Sequence, residues 1–247
     1  MLPATGLARM PSDLDAHNLL IDALPVADRA RIVASSERHK LALGTVLHEP
    51  GRPSDTCYFP VDCIGSLLYE LSDGSTAEVA IVGHEGMVGV PTYMGDGRSP
   101  HRGVIQVAGH ALLIKASELR AIARARPRVQ RMLLGYSQAL SIQMAQTAVC
   151  NRHHSVAQQL CRWLLMSVDR LPQDQLTMTQ DLIAHMLGVR RAGVSEVASK
   201  LQREGLICYQ RGHIEVLDRE GLEACSCECY QLVVDEYRRL LKAAPSG

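Results

Sequence analysis

The 247-residue sequence predicts an α+β chain in three parts: an N-terminal antiparallel β-roll of jelly-roll type, a long dimerisation helix, and a C-terminal winged helix-turn-helix. Three observations predict it. Glycines recur at short intervals between β-rich runs across residues 41–114. Residues 128–152 contain no proline and a single glycine, Gly135. Residues 177–206 read as two short helices joined by a glycine turn, the second opening on two arginines.

Taken in order, residues 1–17 carry no strong periodicity and are expected to form a flexible tail. Residues 19–24 are a short apolar segment, and Pro25 suits the first turn of a helix reaching about residue 35. The roll follows, its runs TCYF, GSLLYEL, AEVAIV, RGVIQV and ALLI separated by turns, of which Ser72-Asp73-Gly74-Ser75 is the clearest hairpin signal. Lys115 to Ala125 reads as a helix, and Pro127 opens a longer one. On the latter, Leu133, Leu140, Met144 and Thr147 mark a stripe near heptad spacing with Tyr136 and Gln143 beside it, as expected for a helix packing along its twin in a parallel dimer. The alternative is a helix that packs only on its own domain. The next helix, residues 155–170, presents Val156, Leu160, Trp163 or Leu164, and Ser167 on successive turns and is expected to back the C-terminal domain. These readings divide the chain into a tail (1–17), a β-roll (18–126), a dimer helix (127–153) and a winged domain (154–247).

In the winged domain, Thr179 can cap a helix whose apolar residues Leu182, Ile183, Met186 and Leu187 share one face, and Gly188 ends it. The second helix, from about Arg190 to Glu204, turns Val194, Val197 and Leu201 inward and leaves Arg191, Ser195, Glu196, Ser199 and Lys200 outside. Gly205 stops it. Residues 206–209 and 214–217 then read as strands around an Arg211-Gly212 turn, and Arg211 and His213 could touch phosphates. Outward residues at the start of such a second helix are those that meet base edges. The expected DNA-facing set is therefore Thr179, Gln180, Arg190, Arg191, Gly193, Ser195, Glu196, Ser199 and Lys200, with Arg211 and His213 on the wing. A helix pair and hairpin inside an ordinary core is the alternative; it does not require cap, turn glycine, outward arginines and basic hairpin in this order.

Composition bounds the rest. The length suits two modest domains that need no disulfide staples. No apolar run is long enough to span a bilayer and no export signal is evident, so a cytoplasmic location without membrane attachment is expected. Formal net charge is zero, but Arg120, Arg124, Arg126, Arg128 and Arg131 come without an intervening acid, so basic charge is locally concentrated.

In this order of parts the chain resembles the Crp/Fnr family of bacterial transcription regulators over nearly its whole length. TQDLIAHMLGVRRAGVSEVASKLQREGLI is similar to the family's reading head, and VLHEPGRPSDTCYFPVDCIGSLL to the opening of its cyclic-nucleotide-binding-like roll. The resemblance implies a roll that senses an effector, a long helix as the axis of a homodimer, and a C-terminal domain that binds double-stranded promoter DNA and works with RNA polymerase. It implies no enzymatic activity. An effector pocket would involve Gly86, Met87, Val88, Gly89, Val90, Arg102 and Gly103. In cyclic-nucleotide-binding members a glutamate holds the ribose and an Arg-Ser or Arg-Thr pair the phosphate; here Val90 and Gly103 stand at the glutamate and hydroxyl positions. A ribose hydroxyl left unpaired in a closed pocket costs about 1–3 kcal/mol. Cyclic AMP in the usual pose is therefore disfavoured, and the effector is unknown. In the reading head, Arg191 keeps the family's first arginine, Ala192 replaces an acid and Glu196 reverses a charge, so the preferred operator is expected to differ.

Eight cysteines raise a redox or metal reading. None precedes Cys57, which argues against the N-terminal iron-sulfur group of oxygen-sensing family members. Cys225, Cys227 and Cys229 form a C-x-C-x-C, yet on one helix running from an Asp218 cap to about Leu241 only Cys225 and Cys229 would share a face. Core packing is expected for them and for Cys150, Cys161 and Cys208, with no cofactor and no metal. A thiol- or metal-responsive regulator of the same fold remains the alternative. His153-His154 falls at the hinge between dimer helix and head, in a solvated or packing role. A metabolite-binding enzyme using Cys57 or His84-Glu85 is a further alternative, but no nucleophile elbow or phosphate loop supports it, and His84-Glu85 is expected in an exposed loop.

Overall fold

The computed structural model describes residues 18–243; the expected tail, residues 1–17, lies outside the described residues. Helix α1 (Leu19–Asp22) is capped by Asn18, whose side-chain oxygen accepts from the N–H groups of Leu20 and Ile21. The amide of the same Asn18 donates to the carbonyls of Pro60 and Gly86, which ties the helical lead to the domain that follows. Helix α2 is Val26–Ala34.

Strands β1 (Glu37–Leu41), β2 (Val46–His48), β3 (Thr56–Pro60), β4 (Ile64–Glu70) and β5 (Thr76–Val82) come next, then the short helix α3 (Val90–Met94) and strands β6 (Arg102–Val107) and β7 (Gly109–Lys115). They form two antiparallel sheets, β1-β7-β3 and β2-β6-β4-β5, facing each other across an apolar core that includes Phe59, Ile64, Ile105 and Ile114. This is the expected β-roll. Strand β1 was not evident in the sequence because it pairs only with β7 and exposes its first four residues, so it carries no alternation. The β4–β5 turn is where expected: Gly74 takes φ +80° and Leu71 N–H donates to Ser75.

Helix α4 (Ala116–Ala125) leads into α5 (Pro127–His153), whose 27 residues give a rod about 40 Å long. Ser155 opens α6 (Val156–Val168) with a capping box completed by Gln158. Every residue of α6 from Gln159 on is buried, because it is packed by α8, α9 and α10 and ties the two ends of the chain together. The C-terminal domain contains β8 (Gln175–Thr177), α7 (Gln180–Leu187), α8 (Arg191–Arg203), β9 (Ile207–Gln210) and β10 (His213–Val216), with the sheet order β8-β10-β9. Helices α9 (Arg219–Cys225) and α10 (Glu228–Ala243) complete it.

Four expectations are corrected. First, the stripe assigned to the dimer is consumed by the chain itself: Leu133, Tyr136, Leu140 and Thr147 are buried and Met144 is half-buried. Tyr136 donates to the Met87 carbonyl, Gln143 donates to the Ile81 carbonyl, and Tyr237 of α10 donates to Gln143, so this face packs on the roll and on α10. The outward face lies one residue over, at Leu134, Ser141, Ala145, Ala148 and Val149. Second, His84 and Glu85 are buried rather than in an exposed loop, and Glu85 pairs with Arg170. Third, the helix expected from Asp218 onward is two helices. Asp218 caps α9 by accepting from Gly221, but the helix breaks at Ser226, so Cys227 turns inward with Cys229 while Cys225 is exposed. Fourth, the arginines at 120–131 lie on α4 and the first turns of α5, a helix length from the head; Arg126 pairs with Asp28 and Arg120 donates to the Thr92 carbonyl.

The head is docked on the roll. Arg170, two residues past α6, reaches Glu85; Trp163 donates to Glu78 of β5; and Thr76 donates to the His185 carbonyl of α7.

Candidate nucleic-acid interface

Thr179 accepts from the Leu182 N–H at 3.2 Å and starts α7. Ile183, Ala184, Met186 and Leu187 form its buried face, while Leu182 is half-buried. Gly188 ends the helix in the left-handed region, φ +65°, a conformation a residue with a Cβ adopts only with strain. The chain then turns into α8, which buries Val194, Ala198 and Leu201 against α6 and α7. These contacts place the opposite face in solvent: Arg190, Arg191, Glu196, Ser199 and Lys200 are exposed. No side chain caps α8, so its first N–H groups are available to a phosphate.

Two expected contacts are partly spent inside the head. Ser195 and Gln180 are half-buried and hydrogen-bonded to each other, clasping α7 to α8. Gly193 is half-buried as well. Thr179 is exposed, but its hydroxyl serves the cap. On the wing, Arg211 and Gly212 both take positive φ, +52° and +83°, the signature of a tight primed hairpin turn. The tip therefore projects Arg211 into solvent, and His213 stands beside it with Nδ1 3.0 Å from the Thr177 hydroxyl. Strand β8, which supplies Thr177, escaped sequence reading because three residues are too short to establish alternation.

Asp181 was also missed. Its carboxylate lies 3.4 Å from the Arg191 Nε, an exposed pair between the first turns of α7 and α8 that no periodicity connects. Such a pair is worth about 0–1 kcal/mol, so a base edge or phosphate replaces it at little cost.

The segment considered for an effector is closely packed. Met87 and Val88 are buried, and a methyl added at Gly86 would meet the Tyr136 hydroxyl at 2.6 Å. Gly89 takes φ +113° and precedes α3, which Val90 opens. Gly103 lies against the His48 ring, and Arg102 is held 3.2 Å from Glu49.

Comparison with known proteins bears on the head and on the fold separately. The model of the Crp-like helix-turn-helix domain matches residues 158–225, which run from α6 to α9. A structure from Eubacterium rectale assigned to the Crp/Fnr family superposes with a TM-score of 0.64 at 16% identity, covering 86% of this chain and 97% of that one. FixK2 from Bradyrhizobium japonicum gives 0.61 at 16%, covering 78% and 98%. The c-di-GMP-responsive global regulator CLP from Xanthomonas campestris gives 0.59 at 19%, covering 78% and 99%. At these identities the shared property is the fold. No curated protein matches the sequence. Among the described residues, no helix is long and apolar enough to cross a membrane.

Proposed function

We propose that this chain, which carries a Crp-like helix-turn-helix domain on a Crp/Fnr-type fold, is a homodimeric transcription regulator that reads an inverted-repeat promoter site with the exposed start of α8. The observation that carries the reading is the outward pair Arg190 and Arg191 on an uncapped helix N-terminus, flanked by the Arg211 tip of the wing. Arg191 supplies bidentate donors to a guanine, Lys200 and Arg211 contact phosphates, and Glu196 accepts from a cytosine amine. Promoter-bound dimers then act with RNA polymerase. The packing of Tyr136 against Gly86 and of His48 against Gly103 supports a roll that does not take cyclic AMP in the usual pose.

Selection of bound fragments from genomic DNA, followed by mobility shifts at several salt concentrations, tests the reading. Arg191→Ala is expected to weaken specific binding by about 1–3 kcal/mol and to relax preference at one position of each half-site. Unchanged affinity and base preference in that variant would remove Arg191 from the interface, and absence of any selected site would remove the function.

Dimerisation is assigned to the outward face of α5, where Leu134, Ser141 and Ala148 repeat at heptad spacing beside Ala145 and Val149. Small residues there let two helices approach closely. Ala145→Arg is expected to turn the dimer into a monomer in sedimentation equilibrium and abolish two-half-site binding. Its thermal unfolding should show an intact fold, since exposed substitutions within a chain cost about 0.5 kcal/mol or less. A dimer that survives the change relocates the interface.

A further inference from the structure

We propose that Cys150, His154, Cys227 and Cys229 form a four-coordinate site for a zinc ion, clamping the C-terminal helix to the hinge between the dimer helix and the head. The four donor atoms lie within 4.8 Å of one another, the one such group among the described residues. Cys150 Sγ is 3.6 Å from Cys227 Sγ, and Cys229 Sγ is 3.4 Å from His154 Nδ1. Zinc–sulfur bonds of about 2.3 Å in a tetrahedron place sulfurs about 3.8 Å apart, so these two separations are close to the edges of a coordination shell.

The fold brings these residues together from three places. Cys150 is in the last turn of α5, and His154 is the cap residue four positions on, its N–H donating to the Cys150 carbonyl at 3.0 Å, which keeps the two close. Cys229 belongs to the first turn of α10, and Cys227 to the break between α9 and α10, which is what lets alternate residues of a C-x-C point at one centre. Cys225, on the far side of the break, is exposed and outside the group.

Packing of small hydrophobes does not account for the arrangement. Cys150, Cys227 and Cys229 form a buried cluster of their own, apart from the main apolar core that encloses Cys57, Cys63 and Cys161. Their surroundings are also those of a metal ligand shell. His154 offers Nδ1 to the sulfurs while its Nε2 lies 3.4 Å from the Glu228 carboxylate, the carboxylate–imidazole relay that fixes the tautomer of a ligating histidine. Gln146 Nε2 donates to Cys229 Sγ at 2.9 Å, a bond that favours a thiolate.

Binding a dipositive ion by three thiols and a neutral imidazole releases three protons and leaves a site of net charge −1, with no redox change. Four protein ligands close the shell, so the site is of the structural type. Three thiolates and one imidazole favour zinc over hard cations. From this position the ion holds α10 against α5 at the point where the chain enters the head.

The test uses the full-length protein, reduced, offered zinc chloride and passed through a desalting column. Metal analysis is expected to find one zinc per chain, falling at least tenfold in Cys227→Ser and Cys229→Ser and unchanged in Cys225→Ser. Loading with cobalt(II) is expected to give tetrahedral ligand-field bands and thiolate-to-cobalt charge transfer in the wild type, a readout that does not depend on how the variants fold. Wild-type protein that retains less than a tenth of an equivalent of zinc overturns the proposal. So does a loss in Cys225→Ser equal to that in Cys227→Ser, or a Cys150–Cys227 disulfide in protein that refuses the metal.

Discussion

Arg170→Ala is expected to lower unfolding stability by about 3–5 kcal/mol, because it strands a buried carboxylate. Arg170 and Glu85 are both 0% exposed, and the guanidinium Nε and Nη2 each lie 2.8 Å from the same Glu85 oxygen. Nη1 donates to the Met166 carbonyl, and the group lies 5.9 Å from the centre of the Tyr237 ring. Glu85 otherwise accepts only from the Gly83 N–H, at 3.2 Å, and its other oxygen is without a hydrogen bond. Removing the cation therefore leaves a desolvated charge between roll and head. Replacing both partners at once, as in Arg170→Met with Glu85→Leu, should restore much of the loss, since the penalty belongs to the unpaired charge and not to the pair. Denaturant melts of the three variants decide it; a single Arg170→Ala variant within 0.5 kcal/mol of wild type would show that the pair holds nothing. Because Arg170 follows α6 and Glu85 belongs to the roll, the same variant is expected to loosen the head and change its affinity for DNA.

Stability is also expected to fall by about 3 kcal/mol as pH rises from 4.5 to 7 on account of Glu78. Burial against α6 pushes its carboxyl from an ordinary 4.5 up to about 7, with partial offsets from Ser66, Trp163 and the charges of Arg162 and Arg170. A raised carboxyl pKa means that, between those two values, the folded chain keeps a proton the unfolded chain has lost. Stability therefore declines with rising pH across that window and levels off above it. Glu78→Gln keeps an acceptor for the Trp163 N–H and cannot ionise, so it should flatten the profile and gain most at pH 8. Denaturation midpoints between pH 4.5 and 8 measure both, and parallel profiles for the two proteins would exclude Glu78 as the titrating group.

What could be read in advance follows from which forces are local. Thr179, Gly188, Gly205 and the Arg211-Gly212 turn are read correctly because capping and positive φ are properties of one or two residues and the backbone beside them. The outward arginines follow from helical period alone. On α5 the same reasoning misplaces the face: Leu133 and Leu134 are adjacent and chemically identical, and only the packing of α5 on the rest of the chain buries the first and exposes the second. A stripe shows that a helix is covered on one side, but not by what.

The order of parts and the geometry of the reading head are written in the residues themselves, since periodicity, caps and glycine turns act within a few positions of chain. Folding in three dimensions was needed to choose the partners of the buried charges, the face of α5 left for a second subunit, and the meeting of Cys150 and His154 with Cys227 and Cys229. Those pairings join residues up to 94 positions apart, as with Gln143 and Tyr237, and local periodicity carries no information about a neighbour that arrives from another element. The single break at Ser226 shows the limit: one lost helical turn redirects a cysteine from solvent to a shared centre.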